Sequence, residues 1–162
     1  MIAALLFYLT LGATLGAGLI AGVFFAFSSF VMPALAKLPT EQGLAAMQSI
    51  NVSVLNRSFL GVFVGTAVFC MLAAVLSLSS WTLAASQLRF AGSVSYLVGT
   101  FLVTMVCNVP LNDELANLSA ETLQAARGWS SYVSNWTAYN TVRTLAALGA
   151  AALLTLSLVQ RE

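Results

Sequence analysis

From Ile2 to Met32 the sequence carries no charged side chain. A stretch this long and apolar exceeds the roughly 20 residues a helix needs to cross the hydrocarbon core of a bilayer. Three further runs of the same kind follow, at about Phe59 to Leu78, Phe90 to Cys107 and Thr137 to Val159. Only 7% of the 162 residues are charged and 60% are apolar, against about a quarter charged in a soluble domain. The expected fold is therefore all-α, a four-helix transmembrane bundle forming a single integral membrane domain over residues 1–162. Pro33 is expected to end the first span and Pro110 the third.

Two polar excursions interrupt the apolar runs. The first, Lys37 to Arg57, reads as a short amphipathic helix with Thr40 at its N-cap ahead of Glu41, and with Leu44, Met47 and Ile50 or Val54 on one side. The second, Pro110 to about Trp136, is expected to hold a helix capped by Ser119 ahead of Glu121. A tight turn through Ser86 to Arg89 joins spans two and three as antiparallel neighbours, and Trp81 marks an interfacial end. An even number of spans puts both excursions at one end of the bundle, where the two short helices cap it. Leu38, Glu41, Ala45 and Ala46 share their spacing with Leu118, Glu121, Ala125 and Ala126, which suggests two parallel repeats, residues 1–80 and 89–162.

The charge balance excludes several functions. A net charge of +1 with no basic stripe excludes nucleic acid as a partner. Histidine is absent, which removes the commonest general base and metal ligand, so no metal site is expected. Cys70 and Cys107 lie in apolar runs, where a thiol mostly packs. Gly12, Gly16 and Gly22 form a small-residue stripe in the first span. Such a stripe serves close packing within a bundle, or a homo-oligomer contact. The arginines and lysines divide so evenly between the two ends that the excursions are placed in the cytoplasm only by a small excess.

Polar chemistry concentrates between Asn108 and Arg143. Trp129, Tyr132, Trp136, Asn140 and Arg143 fall three or four residues apart and share one helical face. An arginine two turns into an apolar span is costly there, and turns inward to a partner unless it snorkels to the interface. Asn108 and Asn112 bracket Pro110 at the same end, where Asn51, Asn56 and Arg57 also arrive. Amides next to a proline also cap free backbone groups, a purely structural use. Together these side chains suit a pocket for a flat aromatic molecule bearing oxygens.

Several of these features carry a family resemblance: Gly22 with Phe24, Phe25 and Met32-Pro33, the run Met47-Gln48-x-x-Asn51, Asn56, the segment Asn108-Val109-Pro110-Leu111-Asn112, and Trp136 with Asn140 and Arg143. On these the chain resembles the anthrone oxygenase-like integral membrane family. The resemblance implies an oxygenase that converts an anthrone to an anthraquinone with molecular oxygen, without metal, flavin or other cofactor. This compact chain looks most like the bacterial relatives, which implies a bacterial inner membrane. Some fungal members are thought to use histidine, and this sequence has none. On this reading Arg143, Asn140 and Asn108 are the catalytic candidates that hold an oxyanion, with Asp113 or Glu114 taking the proton. Asn51, Asn56, Arg57, Asn112 and Trp136 are the candidates for substrate binding. Two other readings stay open: a non-catalytic protein that binds a quinone or similar lipophile, and a structural membrane subunit. The partners expected are a small lipophilic aromatic molecule and membrane lipid.

Overall fold

The computed structural model describes residues 2–118 and 123–160, and every element in them is helical. Four stretches are long and apolar enough to cross a membrane: Ala4–Leu35, Arg57–Ser80, Ala84–Ala116 and Ala126–Val159. The protein is a multi-pass integral membrane protein.

The first span is α1 (Ile2–Ala26), a π-helical stretch (Phe27–Val31) and α2 (Met32–Leu35) in unbroken succession. After a short loop comes α3 (Thr40–Ser53), followed by α4 (Arg57–Ser77) and a single 3-10 turn (Leu78–Ser80) that complete the second span. The third span joins α5 (Ala84–Val94), two π-helical stretches (Ser95–Leu102 and Thr104–Asn108) and α6 (Val109–Ala116). The last is one helix, α7 (Leu123–Val159). Spans contact their neighbours around a square, α1 to α4 to α5 to α7 and back to α1.

Neither proline ends its span, contrary to the sequence expectation. Each sits in the first turn of the short helix that follows a π-helical stretch, Pro33 in α2 and Pro110 in α6. Proline within a helix removes one N–H and presses its ring on the carbonyl four residues back. A π-turn shifts bonding to the fifth residue, as Met32 N–H to Phe27 O and Val109 N–H to Thr104 O show. The widened turn leaves room for the ring, and the helix continues. Asn108 therefore lies inside a continuous helix and not at its end.

Three other boundaries differ from expectation. Residues from Leu123 to Trp136 are the first turns of α7, because nothing between them breaks a helix and their aromatic face is buried. The turn between spans two and three falls before Ala84, so Arg89 is a buried residue of α5. Pro39, in an extended conformation, holds the cap position of α3 that Thr40 was expected to fill. The Ser119 cap and Glu121, which the repeat reading needs, lie outside the described residues.

Two clusters make the interior. Mid-bundle, Ala13, Ala17 and Ala21 of α1 and Ala147 and Ala150 of α7 are fully buried together with Ile20, Tyr96 and Leu154. Small side chains let the backbones approach where lipid offers no hydrophobic drive to associate. At the polar end Met32, Leu44, Met47, Leu115, Trp129, Tyr132 and Trp136 form the second cluster. Gln48 of α3 ties this cap together, its amide donating to the carbonyls of Leu115 at 2.8 Å and Leu118 at 3.2 Å. Large apolar side chains such as Leu15, Leu19, Phe25, Leu145 and Leu148 face outward to lipid.

Within the glycine stripe, Gly12 and Gly16 face α4. A Cβ at Gly12 would lie 2.7 Å from the Phe69 ring, and one at Gly16 would run into the Thr66 side chain, whereas Gly22 has open space. Gly16→Leu should thus wedge α1 from α4 and cost about 1–3 kcal/mol. Gly22→Leu should leave folding stability within about 0.5 kcal/mol. Thermal unfolding of both variants in one detergent checks the contrast.

Candidate functional site

Where the bundle meets the bilayer surface can be read from α7. Its exposed residues are polar at Ser130, Ser131, Ser134 and Asn135, and apolar from Val142 through Leu145 and Leu148. Tyr139, 42% exposed, stands at the change, the place an interfacial aromatic takes. Arg143 is one helical turn further in and is buried.

Arg143 is only 3% exposed. Its Nη2 donates to Asn140 Oδ1 at 2.7 Å and its Nη1 to Thr104 Oγ1 at 3.1 Å. Its guanidinium carbon lies 4.1 Å from the centre of the Phe24 ring and 5.1 Å from that of Trp136. The plane is thus flanked by two π-systems, whose negative faces favour a cation. Nε is buried with no hydrogen-bond partner. Among the described residues no carboxylate pairs with this cation.

Each partner of Arg143 is held in turn. The Asn140 amide donates to Phe24 O and to Ser28 Oγ, both at 2.7 Å, and so ties α7 to α1 where the π-helical stretch begins. Thr104, in the π-helical stretch before Pro110, turns its own hydroxyl to Thr100 O at 2.7 Å and leaves its oxygen to Arg143. Thr100 Oγ1 donates to the carbonyl of Arg143 at 3.2 Å. Both proline-bearing spans thus meet the arginine through, or directly beside, their π-helical turns. Wide turns of this kind often mark functional positions.

A second amide layer lies nearer the aqueous end. Asn112 Oδ1 accepts from Trp136 Nε1 at 2.8 Å and from the Tyr132 hydroxyl at 2.9 Å. The Asn51 amide reaches the same hydroxyl at 3.4 Å. Asn108, 1% exposed, donates to Trp136 O at 3.2 Å while its Oδ1 is buried without a partner. Trp129, Tyr132 and Trp136 stack in sequence along α7, with ring centres 5.8 and 6.4 Å apart.

The structure thus brings Arg143, Asn140, Asn108, Asn112, Trp136 and Asn51 into one region. It places three other candidates elsewhere. Asn56 caps α4, accepting from Phe59 N–H at 3.0 Å and donating to Ser53 O at 2.9 Å. Arg57 is exposed at the start of α4, and Asp113 is exposed on α6. Glu114 helps line a cavity of about 200 Å³ between α6 and α7, with Leu111, Leu115, Leu118, Gly128, Ser131, Tyr132 and Asn135. Along α7, Tyr132 precedes Arg143 by eleven residues, roughly 16 Å, so this cavity is a separate, aqueous-side feature. Sequence reading left Phe24, Ser28 and Thr104 out of the site. Thr100, Thr104 and Asn108 recur every four residues, and that polar stripe in an apolar span was the available signal.

Fold and site together define a class: a four-span membrane protein with a buried arginine and amide centre one turn below its polar mouth. The chain belongs to the anthrone oxygenase family, whose profile matches residues 57–153, more than half of it. The match runs from the first residue of α4 to within two turns of the end of α7, and so includes Thr104, Asn108, Asn112, Trp136, Asn140 and Arg143. No curated protein and no solved structure matches the chain.

Among the described residues Asn112 is the only acceptor for two buried donors of the aromatic stack. Asn112→Leu should cost about 1–3 kcal/mol for each donor left unsatisfied and loosen the Trp136 indole over Arg143. Tyr132→Phe, which removes a single bond, should cost less. Thermal unfolding together with the tryptophan emission maximum checks both.

Proposed function

We propose that the protein binds the ionised oxygen of a lipophilic phenol or enol against Arg143 and, for anthrone-like compounds, lets the bound enolate react with molecular oxygen. The observation that carries this is a buried guanidinium held by neutral groups only, Asn140, Thr104, Phe24 and Trp136. A buried charge without a counter-charge is costly. It attracts an anion, and in a dry site it stabilises one far more than water could. Membership of the anthrone oxygenase family supports the choice of substrate.

The chemistry balances without a further electron donor. An anthrone loses one proton from the methylene carbon opposite its carbonyl, and the resulting enolate carries its charge on oxygen, where Arg143, whose Nε has no other partner, can meet it. The electron-rich carbon then forms a bond to oxygen, giving a peroxide that takes up the proton. Loss of water breaks the O–O bond and leaves a second carbonyl. One oxygen atom stays in the quinone, and the other leaves as water with both methylene hydrogens. Asp113 and Glu114 stand at the aqueous mouth, far enough from Arg143 that water is the more direct carrier for the first proton.

Purified protein in detergent should consume oxygen with anthrone at a ratio of one to one. Arg143→Met should abolish this while remaining folded. Asn140→Asp, which gives the cation a carboxylate of its own, should reduce it by at least about 100-fold, the order expected when an oxyanion donor is lost. Oxygen uptake unchanged in Arg143→Met would remove that residue from the reaction.

A further inference from the structure

A substrate dissolved in the bilayer has to reach a guanidinium that is 3% exposed. One polar path leads from the outer surface of the bundle to it. On the seam between the π-helical stretch of the first span and α7, Ser28 Oγ lies 3.1 Å from Thr141 Oγ1, a contact open to the surroundings. The same Ser28 oxygen accepts from Asn140, and Asn140 accepts from Arg143.

Proton directions along this path follow by elimination. A hydroxyl has a single proton to give. Thr141 gives its own to Thr137 O at 2.9 Å. Ser28 must then donate to Thr141 while accepting from Asn140. The result is a one-way chain, Arg143 to Asn140 to Ser28 to Thr141 to a backbone carbonyl, with each donor pointing outward from the cation. Such chains strengthen one another. Every acceptor in this one is neutral, so an oxygen anion arriving at the seam, a stronger acceptor, can draw the Thr141 proton away from Thr137 O and then the Ser28 proton by rotation of each hydroxyl.

The backbone changes character at the same level. Below Ala26, α1 is locked against α7 by Ala13, Ala17 and Ala21 facing Ala147 and Ala150. Above it the helix passes into the π-helical turn Phe27–Val31 and then Pro33, where the regular ladder is weakest.

Resting on the reading of Arg143 as an oxyanion site, we infer that Ser28 and Thr141 form a bilayer-facing portal. They receive the hydroxyl or enolate oxygen of a lipophilic aromatic from the lipid and hand it to Asn140 and Arg143. The aqueous-side cavity beside Glu114 then serves the water and protons of the reaction and not the substrate.

A cross-link across the seam tests this. Oxygens 3.1 Å apart place the two Cβ atoms near the separation a disulfide spans. Ser28→Cys with Thr141→Cys, in lipid nanodiscs under argon, is mixed with anthrone and binding is followed by emission of the enolate. Wild type, with its native Cys70 and Cys107, is the oxidation control. Oxidation of the double variant should slow association at least about tenfold, and a reductant should restore it; equal rates in both states overturn the portal. Ser28→Ala with Thr141→Val keeps the seam free but removes the hydroxyls. It should associate about tenfold more slowly, the size of one charge-assisted hydrogen bond, and it decides the matter if the cysteine variant does not fold. A wild-type protein that binds no enolate overturns the oxyanion reading itself, before any variant is compared.

Discussion

An unpaired guanidinium inside a greasy bundle organises everything at this end of the protein. Asn140 and Thr104 turn their oxygens to it, and Phe24 and Trp136 cover its faces. Three of those groups are fixed by a further bond, from Asn140 to α1, from Thr104 to Thr100, and from the Trp136 indole to Asn112. Remove the positive charge and the first, third and fourth spans lose the reason for aligning these polar groups at one depth. The remaining interior is apolar contact between small residues, which holds helices together but specifies no chemistry.

The two π-helical prolines belong to the same design. A plain α-helical first span would pass Arg143 as a smooth cylinder. The wide turn at Phe27–Val31 begins beside the Phe24 carbonyl and sets Ser28 within reach of Asn140. The matching turn before Pro110 holds Thr104 and Asn108 against α7. Irregular backbone at membrane depth is tolerated where protein surrounds it, and here it faces the buried Arg143.

Much of the architecture was legible in the sequence. Long apolar runs gave the number of spans, and the spacing of Trp129, Tyr132, Trp136, Asn140 and Arg143 gave the buried face of α7, which the structure bears out. Prolines misled, since their usual role as helix stops is overridden by a wider turn that composition does not announce. Linear proximity misled for Asn56, whose amide serves the first turn of α4. Phe24, Ser28 and Thr104 are ordinary residues of apolar spans. Their part depends on which helix lies opposite, and that is set by packing among Ala13, Ala17, Ala147 and their neighbours rather than by any local motif.

A cation that waits for an anion should change the ionisation of what it binds. An opposite charge within about 4–6 Å lowers an acid's pKa by roughly one to three units. Anthrone bound to the wild-type protein under argon, titrated with pH and followed by the enolate absorption band, should ionise at least one unit lower than in empty detergent micelles, and this shift should vanish in Arg143→Met. The same titration curve in protein, variant and micelles would contradict the account at its centre.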